Sequence, residues 1–174
     1  MSIYISLGKN CLSRQYIYNN LKLTKKNGYK SCPFDLCQTP ISSLIKCLKD
    51  DFKNFFTDLK LIPGINANGD RSNAGSGLVN ITNSYGMIFN HESPTHSHLF
   101  NKGNNNDNYY IQNNYKEFKI RYINRIKNFY RYINDYKTII FVINIDDNNS
   151  VDELYLLLKK KYFHKNIKLI NINK

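Results

Sequence analysis

The sequence predicts an α/β fold, a single domain whose mostly parallel sheet is flanked by helices and ends in a C-terminal strand-helix-strand unit. Three observations carry that prediction. Thr138-Ile139-Ile140-Phe141-Val142-Ile143 is an uninterrupted β-branched and aromatic run, the composition of a strand covered on both faces. Before it, Tyr115, Phe118, Tyr122, Ile126, Phe129, Tyr130 and Ile133 recur at three- and four-residue steps, so residues 113–134 read as a long amphipathic helix. After it, a helical stretch from Val151 to about Tyr162 leads to the apolar run Ile167-Lys168-Leu169-Ile170, and a strand-helix-strand order points to parallel pairing through a crossover.

The remaining elements follow from local signals. Residues 3–8 read as a buried first strand ended by Gly8, and residues 12–22 as a helix with Leu12, Ile17 and Leu21 on its apolar side. Asn27-Gly28 marks a turn. Thr39-Pro40 reads as a helix start with Thr39 as N-cap, followed by the stripe Ile41, Leu44, Ile45 and Leu48. Residues 85–90 (YGMIFN) read as a second strand leading into His91. Ser150 reads as the cap of the later helix, with Glu153 completing a capping box, and Lys159, Lys160 and Lys161 suit the last turns of that helix. The whole of residues 1–174 is read as one domain, with loop-rich insertions at about 61–83 and 93–108, where Gly, Asn and Ser collect.

Composition narrows the class of function. Fourteen Tyr and ten Phe in 174 residues argue for a packed core, and no apolar run is long enough to span a bilayer. The start of the chain has no signal-peptide pattern, so a cytoplasmic protein is expected (host cytoplasm if viral). The four cysteines, Cys11, Cys32, Cys37 and Cys47, match neither a disulfide framework nor a tight zinc knuckle. The net charge of +12 suggests weak polyanion binding. Only five of the twenty-five basic residues are Arg, however, and the lysines are spread along the chain rather than gathered in one arm. Arg121, Arg125 and Arg131 share the long helix and are the residues that would line a polyanion site; Arg125 could equally pair with a carboxylate.

Chemistry concentrates where strands end. In parallel α/β folds, sites gather at the carboxyl ends of strands. Cys11 follows the first strand at the start of a helix, whose positive end favours a thiolate. His91 follows the YGMIFN stretch, and Asp146 follows IIFVINI. A thiol, an imidazole and a carboxylate could therefore meet at one sheet edge, the set that nucleophilic thiol chemistry needs. Asn10 offers a side-chain donor to an oxyanion, and Asp35 offers a second carboxylate. His91, His96 and His98, with Cys11 or Asp35, form an alternative metal-ligand set. Neither a metal nor a cofactor is expected.

Taken together, ISLGKNC (residues 5–11), SCPFDLC (31–37), the Asp50-Asp51-Phe52 to Phe56 segment, Asn90-His91, the Arg125 to Phe129 segment and IIFVIN resemble a known family. It is that of the putative papain-like cysteine peptidases, DUF1796, with members in bacteria and large DNA viruses. The resemblance implies Cys11 as nucleophile and His91 as base, and it draws attention to Asp35 ahead of Asp146 because Pro-Phe-Asp is a signature segment. Phe34, Leu36 and Arg125 become the substrate-contact candidates; the family pattern usually has Trp where this chain has Leu36. Papain-like order would put the third residue after His91, which favours Asp146. The expected activity is a cysteine-dependent hydrolase or acyl transferase acting on a peptide, isopeptide or related amide bond of a peptide or protein substrate. The alternative is a non-catalytic interaction domain with an enzyme-like fold, binding an acidic partner or nucleic acid.

Overall fold

Strand β5 (Thr138–Ile143) runs through the middle of the molecule, paired in parallel on one side with β1 (Ser2–Ser6) and on the other with β6 (Asn166–Asn171). This is a computed structural model, and it describes residues 1–63, 79–92 and 113–173. The central position explains the composition of β5: Ile139, Phe141, Val142 and Ile143 are fully buried. Helix α1 (Leu12–Leu21) follows β1, and α2 (Ile41–Lys49) lies further along the chain. The long helix α3 (Lys116–Asp135) delivers the chain to β5, and α4 (Asn148–Lys161) connects β5 to β6. The fold is therefore α/β, with a parallel sheet flanked by helices and a β5-α4-β6 unit at its end.

A second, antiparallel sheet joins β2 (Lys60–Pro63), β3 (Val79–Thr82) and β4 (Ile88–Phe89). It differs from the sequence reading in two ways. Strands β2 and β3 occupy the ends of the 61–83 stretch read as loop, because Leu61 and Ile81 give β-branched or apolar positions that pair across the Gly-rich interval. The strand expected at residues 85–90 shrinks to Ile88–Phe89, since Asn83 folds the chain into a turn by accepting hydrogen bonds from the amides of Tyr85 and Met87. Residues 64–78 and the 93–108 insertion lie outside the described residues.

Aromatic rings fill the space between sheets and helices. Helix α3 buries Phe118, Tyr122, Phe129, Tyr132 and Ile133 along one side, which follows from their three- and four-residue spacing. Phe129 meets the rings of Phe34, Phe52, Tyr130, Phe141 and Tyr162, with centroids 5.5–6.5 Å apart. Phe52 reaches this cluster at some backbone cost. After α2 the chain turns through two left-handed residues, Asp51 (φ 56°) and Phe52 (φ 63°), and the Phe52 amide bonds back to the carbonyl of Cys47 at 3.0 Å. A bulky residue rarely holds a positive φ, and here ring contacts with Phe34, Phe55 and Phe129 offset the strain.

Helix starts also differ by one to three residues from the sequence reading. Asp147, not Ser150, caps α4: its carboxylate accepts from the amides of Asn149 and Ser150 and from the Ser150 hydroxyl. A carboxylate three residues earlier reaches more free N–H groups than a hydroxyl does, so it takes the cap. At α2, Pro40 stands at the cap and Thr39 turns its hydroxyl to the Cys37 thiol, 3.1 Å away. Among the described residues, no helix is long and apolar enough to cross a membrane.

Replacing Phe129 by Ala removes the ring shared by five aromatic neighbours. The expected loss of stability is about 3–5 kcal/mol, the usual cost of an unfilled aromatic cavity, read from the urea midpoint.

Candidate active site

Cys11 stands at the start of α1, at the end of a loop that is fixed by backbone bonds. The Leu7 amide extends the sheet by bonding to the Val142 carbonyl, and the Thr39 amide bonds to the Lys9 carbonyl, both at 2.9 Å. Between these points the chain must turn tightly at Gly8. A Cβ there would lie 2.7 Å from the Asn10 carbonyl oxygen and 2.8 Å from Ser13 Cβ, closer than real contacts allow. Glycine is required for the loop to close on α1.

Asn144, the residue after β5, locks this loop from the other side. It is 3% exposed, and its Oδ1 accepts from the Lys9 amide at 2.9 Å and from the Ser13 hydroxyl at 3.5 Å. Its Nδ2 donates to Asn10 Oδ1 at 3.0 Å, and the same Asn10 oxygen accepts from the Leu12 amide at 3.0 Å, capping α1. Asn10 thus commits its oxygen to holding the helix start, while its amide nitrogen makes no hydrogen bond to the described residues. The sequence reading singled out Asn10 but not Asn144. The available signal was a polar residue directly ending an apolar strand, which a buried position allows only if its hydrogen bonds are met.

Cys11 is partly exposed, and Gln15 Nε2 approaches its sulfur at 3.7 Å. The other three thiols are buried. Burial pushes the Cys37 thiol up to about 12 and also raises those of Cys32 and Cys47, so none of the three offers a thiolate near neutral pH.

The Pro-Phe-Asp segment meets α1 through Asp35 and Arg14. Asp35 is 1% exposed; its Oδ1 accepts from the Tyr29 hydroxyl at 3.1 Å and its Oδ2 from the Cys32 amide at 2.9 Å. Arg14 of α1 lies 3.9 Å from Asp35, covers the Tyr29 ring at 3.9 Å and donates to the Leu23 carbonyl at 2.7 Å. Burial raises the Asp35 carboxyl to about 6, against the opposing effects of the Cys32 amide, Arg14, Arg125 and the Tyr29 hydroxyl. Phe34 is fully buried on Phe52 and Phe129, so its ring anchors the segment in the core; Leu36 is half-buried.

His91 lies on a short 3-10 turn, Asn90–Glu92, directly after β4, and is partly exposed. Strand β4 belongs to the antiparallel sheet, so His91 does not share the parallel sheet edge with Cys11, as its placement after a strand suggested. The two are linked instead through residues 38–39. Gln38 pairs with Ile88 by two backbone bonds of 2.8 and 2.9 Å, and its neighbour Thr39 bonds to Lys9. One residue separates Lys9 from Cys11, and two separate Ile88 from His91.

Glu92, which the sequence reading missed, is buried beside His91 and pairs with Arg121 and, at 3.7 Å, Arg125. Arg125 also covers the Tyr122 ring at 4.5 Å. The charges of Arg121 and Arg125 are therefore directed inward to Glu92, and Arg131 pairs with Asp135 at 3.2 Å one turn along. The three do not form one polyanion-binding row, because helical spacing separates Arg131 from the other two and a buried carboxylate claims them. A lone Glu after His gave no sequence sign of burial. Asp146 stands at the surface after β5, 3.6 Å from Lys9, and accepts from Asn173. Among the described residues no group of three His, Cys, Asp or Glu is arranged to hold a metal ion; His96 and His98 lie outside them.

Comparison with known proteins gives one match. A family model described as "Putative papain-like cysteine peptidase (DUF1796)" matches residues 2–171. No curated protein and no solved structure matches the chain.

Two outcomes follow from this geometry. Asn144→Ala leaves the Lys9 amide and the Asn10 side chain without their buried partner; the expected cost is about 1–3 kcal/mol, with faster hydrogen exchange at the Lys9 amide. Asp35 holds its proton more tightly when folded than unfolded, so its contribution to stability is full below about pH 4 and is lost as pH rises through about 6. Across that window the wild type should lose up to about 3 kcal/mol relative to Asp35→Asn, measured as urea midpoints at successive pH values.

Proposed function

Because the chain belongs to the family of putative papain-like cysteine peptidases, we propose that it is a cysteine-dependent hydrolase or acyl transferase. It acts on a peptide, isopeptide or related amide bond, with Cys11 as nucleophile and His91 as base. One observation carries the choice of nucleophile. Of the four thiols, Cys11 alone reaches solvent, on a loop held rigid by Asn144 at a helix start.

His91 takes the Cys11 proton and the thiolate attacks the substrate carbonyl carbon, which becomes tetrahedral and carries an oxyanion. The backbone N–H of Cys11 makes no hydrogen bond to the described residues and points from the positive end of α1. With the Asn10 amide nitrogen it supplies the donors that stabilise the oxyanion. The tetrahedral species collapses, the carbon–nitrogen bond breaks, and His91 returns the proton to the leaving amine. Water or another acceptor then attacks the thioester carbonyl and frees Cys11.

Asp35 acts in this reading through Arg14 rather than by direct contact with substrate. Its buried carboxylate and the Arg14 guanidinium join the Pro-Phe-Asp segment to α1, three residues after the nucleophile. Asp146 pairs with Lys9 at the surface, joining the segment after β5 to the loop that carries Cys11. The half-buried Leu36 and Arg125 lie on the segments that flank the site, and Arg125 serves it by holding Glu92 next to His91.

Brief exposure to iodoacetamide at neutral pH, followed by peptide mass mapping, tests the assignment. Cys11 should be alkylated first and His91→Ala should slow that reaction about tenfold or more. Faster labelling of Cys32 or Cys37, or a His91→Ala rate equal to wild type, would contradict it.

A further inference from the structure

The parallel sheet has a crevice where chain directions diverge: β5 continues through α4 to β6, while β1 leads away through Cys11 and α1. A hollow of about 300 Å³ opens beside that crevice, lined by Lys9, Pro40, Ile41, Ile145, Asp146 and Asp147. Its floor is apolar. Ile145 is buried, Ile41 is half-buried, and Pro40, at the start of α2, is exposed. Its rim is charged and exposed: Lys9 and Asp146 face each other at 3.6 Å with side chains 62% and 77% exposed, a contact too solvated to be a strong closure. Asp147 is occupied in capping α4.

We infer that this hollow receives an apolar side chain of the peptide substrate adjacent to the bond that Cys11 attacks. The inference rests on the Cys11 reading and adds a substrate preference to it. Three features select the occupant. The hollow is at the lower limit of ligand-pocket sizes, suited to one side chain rather than to a cofactor. Its floor of Pro40, Ile41 and Ile145 gives no polar partner to a buried hydrogen-bonding group, which would then lose its water without replacement. Two aspartates against one lysine at the rim disfavour an acidic side chain. The hollow is also continuous with the nucleophile's own loop. Lys9 lines it, and the Lys9 amide and carbonyl are both fixed, to Asn144 and Thr39, so the hollow keeps a constant relation to Cys11 two residues on.

The test has two arms that fail independently. In the first, Cys11→Ala protein with isotope-labelled isoleucine methyl groups is titrated with acetyl-Ala-Leu-Ala-amide and with acetyl-Ala-Glu-Ala-amide. The leucyl peptide should shift the methyl signals of Ile41 and Ile145, the glutamyl peptide should not, and Ile41→Glu should weaken leucyl binding about tenfold. In the second, the wild type reacts with peptidyl chloromethyl ketones ending in Leu or Gly, with iodoacetamide as a side-chain-free control. The leucyl reagent should modify Cys11 about tenfold faster than the glycyl one, and Ile41→Glu should abolish that ratio without changing the iodoacetamide rate. Reaction at Cys11 with equal leucyl and glycyl rates and no methyl shifts overturns the hollow's role and leaves the nucleophile standing. Methyl shifts specific to the leucyl peptide with an unreactive Cys11 support the hollow and overturn the proposed chemistry.

Discussion

The parallel pairing of β1 with β5 is the constraint on which the candidate site depends. Ser2 to Ser6 lie in register with Thr138 to Val142, so segments far apart in sequence lie side by side in the sheet. That pairing brings the Gly8–Cys11 loop to the end of β5, where Asn144 takes up the Lys9 amide, the Ser13 hydroxyl and the Asn10 carboxamide. Without it the loop would have no partner for these buried groups, and an unmet buried polar group costs more than a made bond gains. The geometry of the thiol is thus set from more than a hundred residues away.

The buried charges serve the same end. Asp35 and Glu92 are each about 1% exposed, and each is met by arginine: Arg14 from α1 for Asp35, and Arg121 and Arg125 from α3 for Glu92. Buried ion pairs contribute little to stability beyond what apolar residues would, yet losing one partner is costly. Their effect here is to fix relative positions. Arg14 ties the Pro-Phe-Asp segment to the helix that Cys11 begins, and Glu92 ties the turn that carries His91 to α3. The +12 net charge, which suggests polyanion binding in the sequence, includes cations that are turned inward on structural work.

Much of the fold was legible because it is written in periodicity. The apolar run of β5, the aromatic stripe of α3 and the strand-helix-strand ending are local patterns that burial on one or both faces imposes, and each stands within a few residues of where the sequence put it. What escaped was non-local. Strands β2 and β3 are short and separated by a Gly-rich interval, so only their partner reveals them. Asn144 and Glu92 look like loop residues until the pairing that buries them is known. Phe34 was legible as a ring able to anchor its segment in the core, and Phe52 and Phe129 pack against it there. Cys11 was distinguished in sequence by its place after a strand and a glycine; the fold adds that its three sister thiols are buried.

The central claim is that the Cys11 thiol and the His91 imidazole work as one unit, joined through the Lys9–Thr39 and Gln38–Ile88 backbone bonds. Treatment with 1,3-dibromoacetone measures this most directly. The thiolate displaces one bromide, and a neighbouring imidazole nitrogen displaces the second to leave a three-carbon bridge. Peptide mass mapping should find Cys11 bridged to His91, and the bridge should vanish in His91→Ala. Cys11 modified at one end only, or bridged to a different residue with His91 intact, would contradict the account.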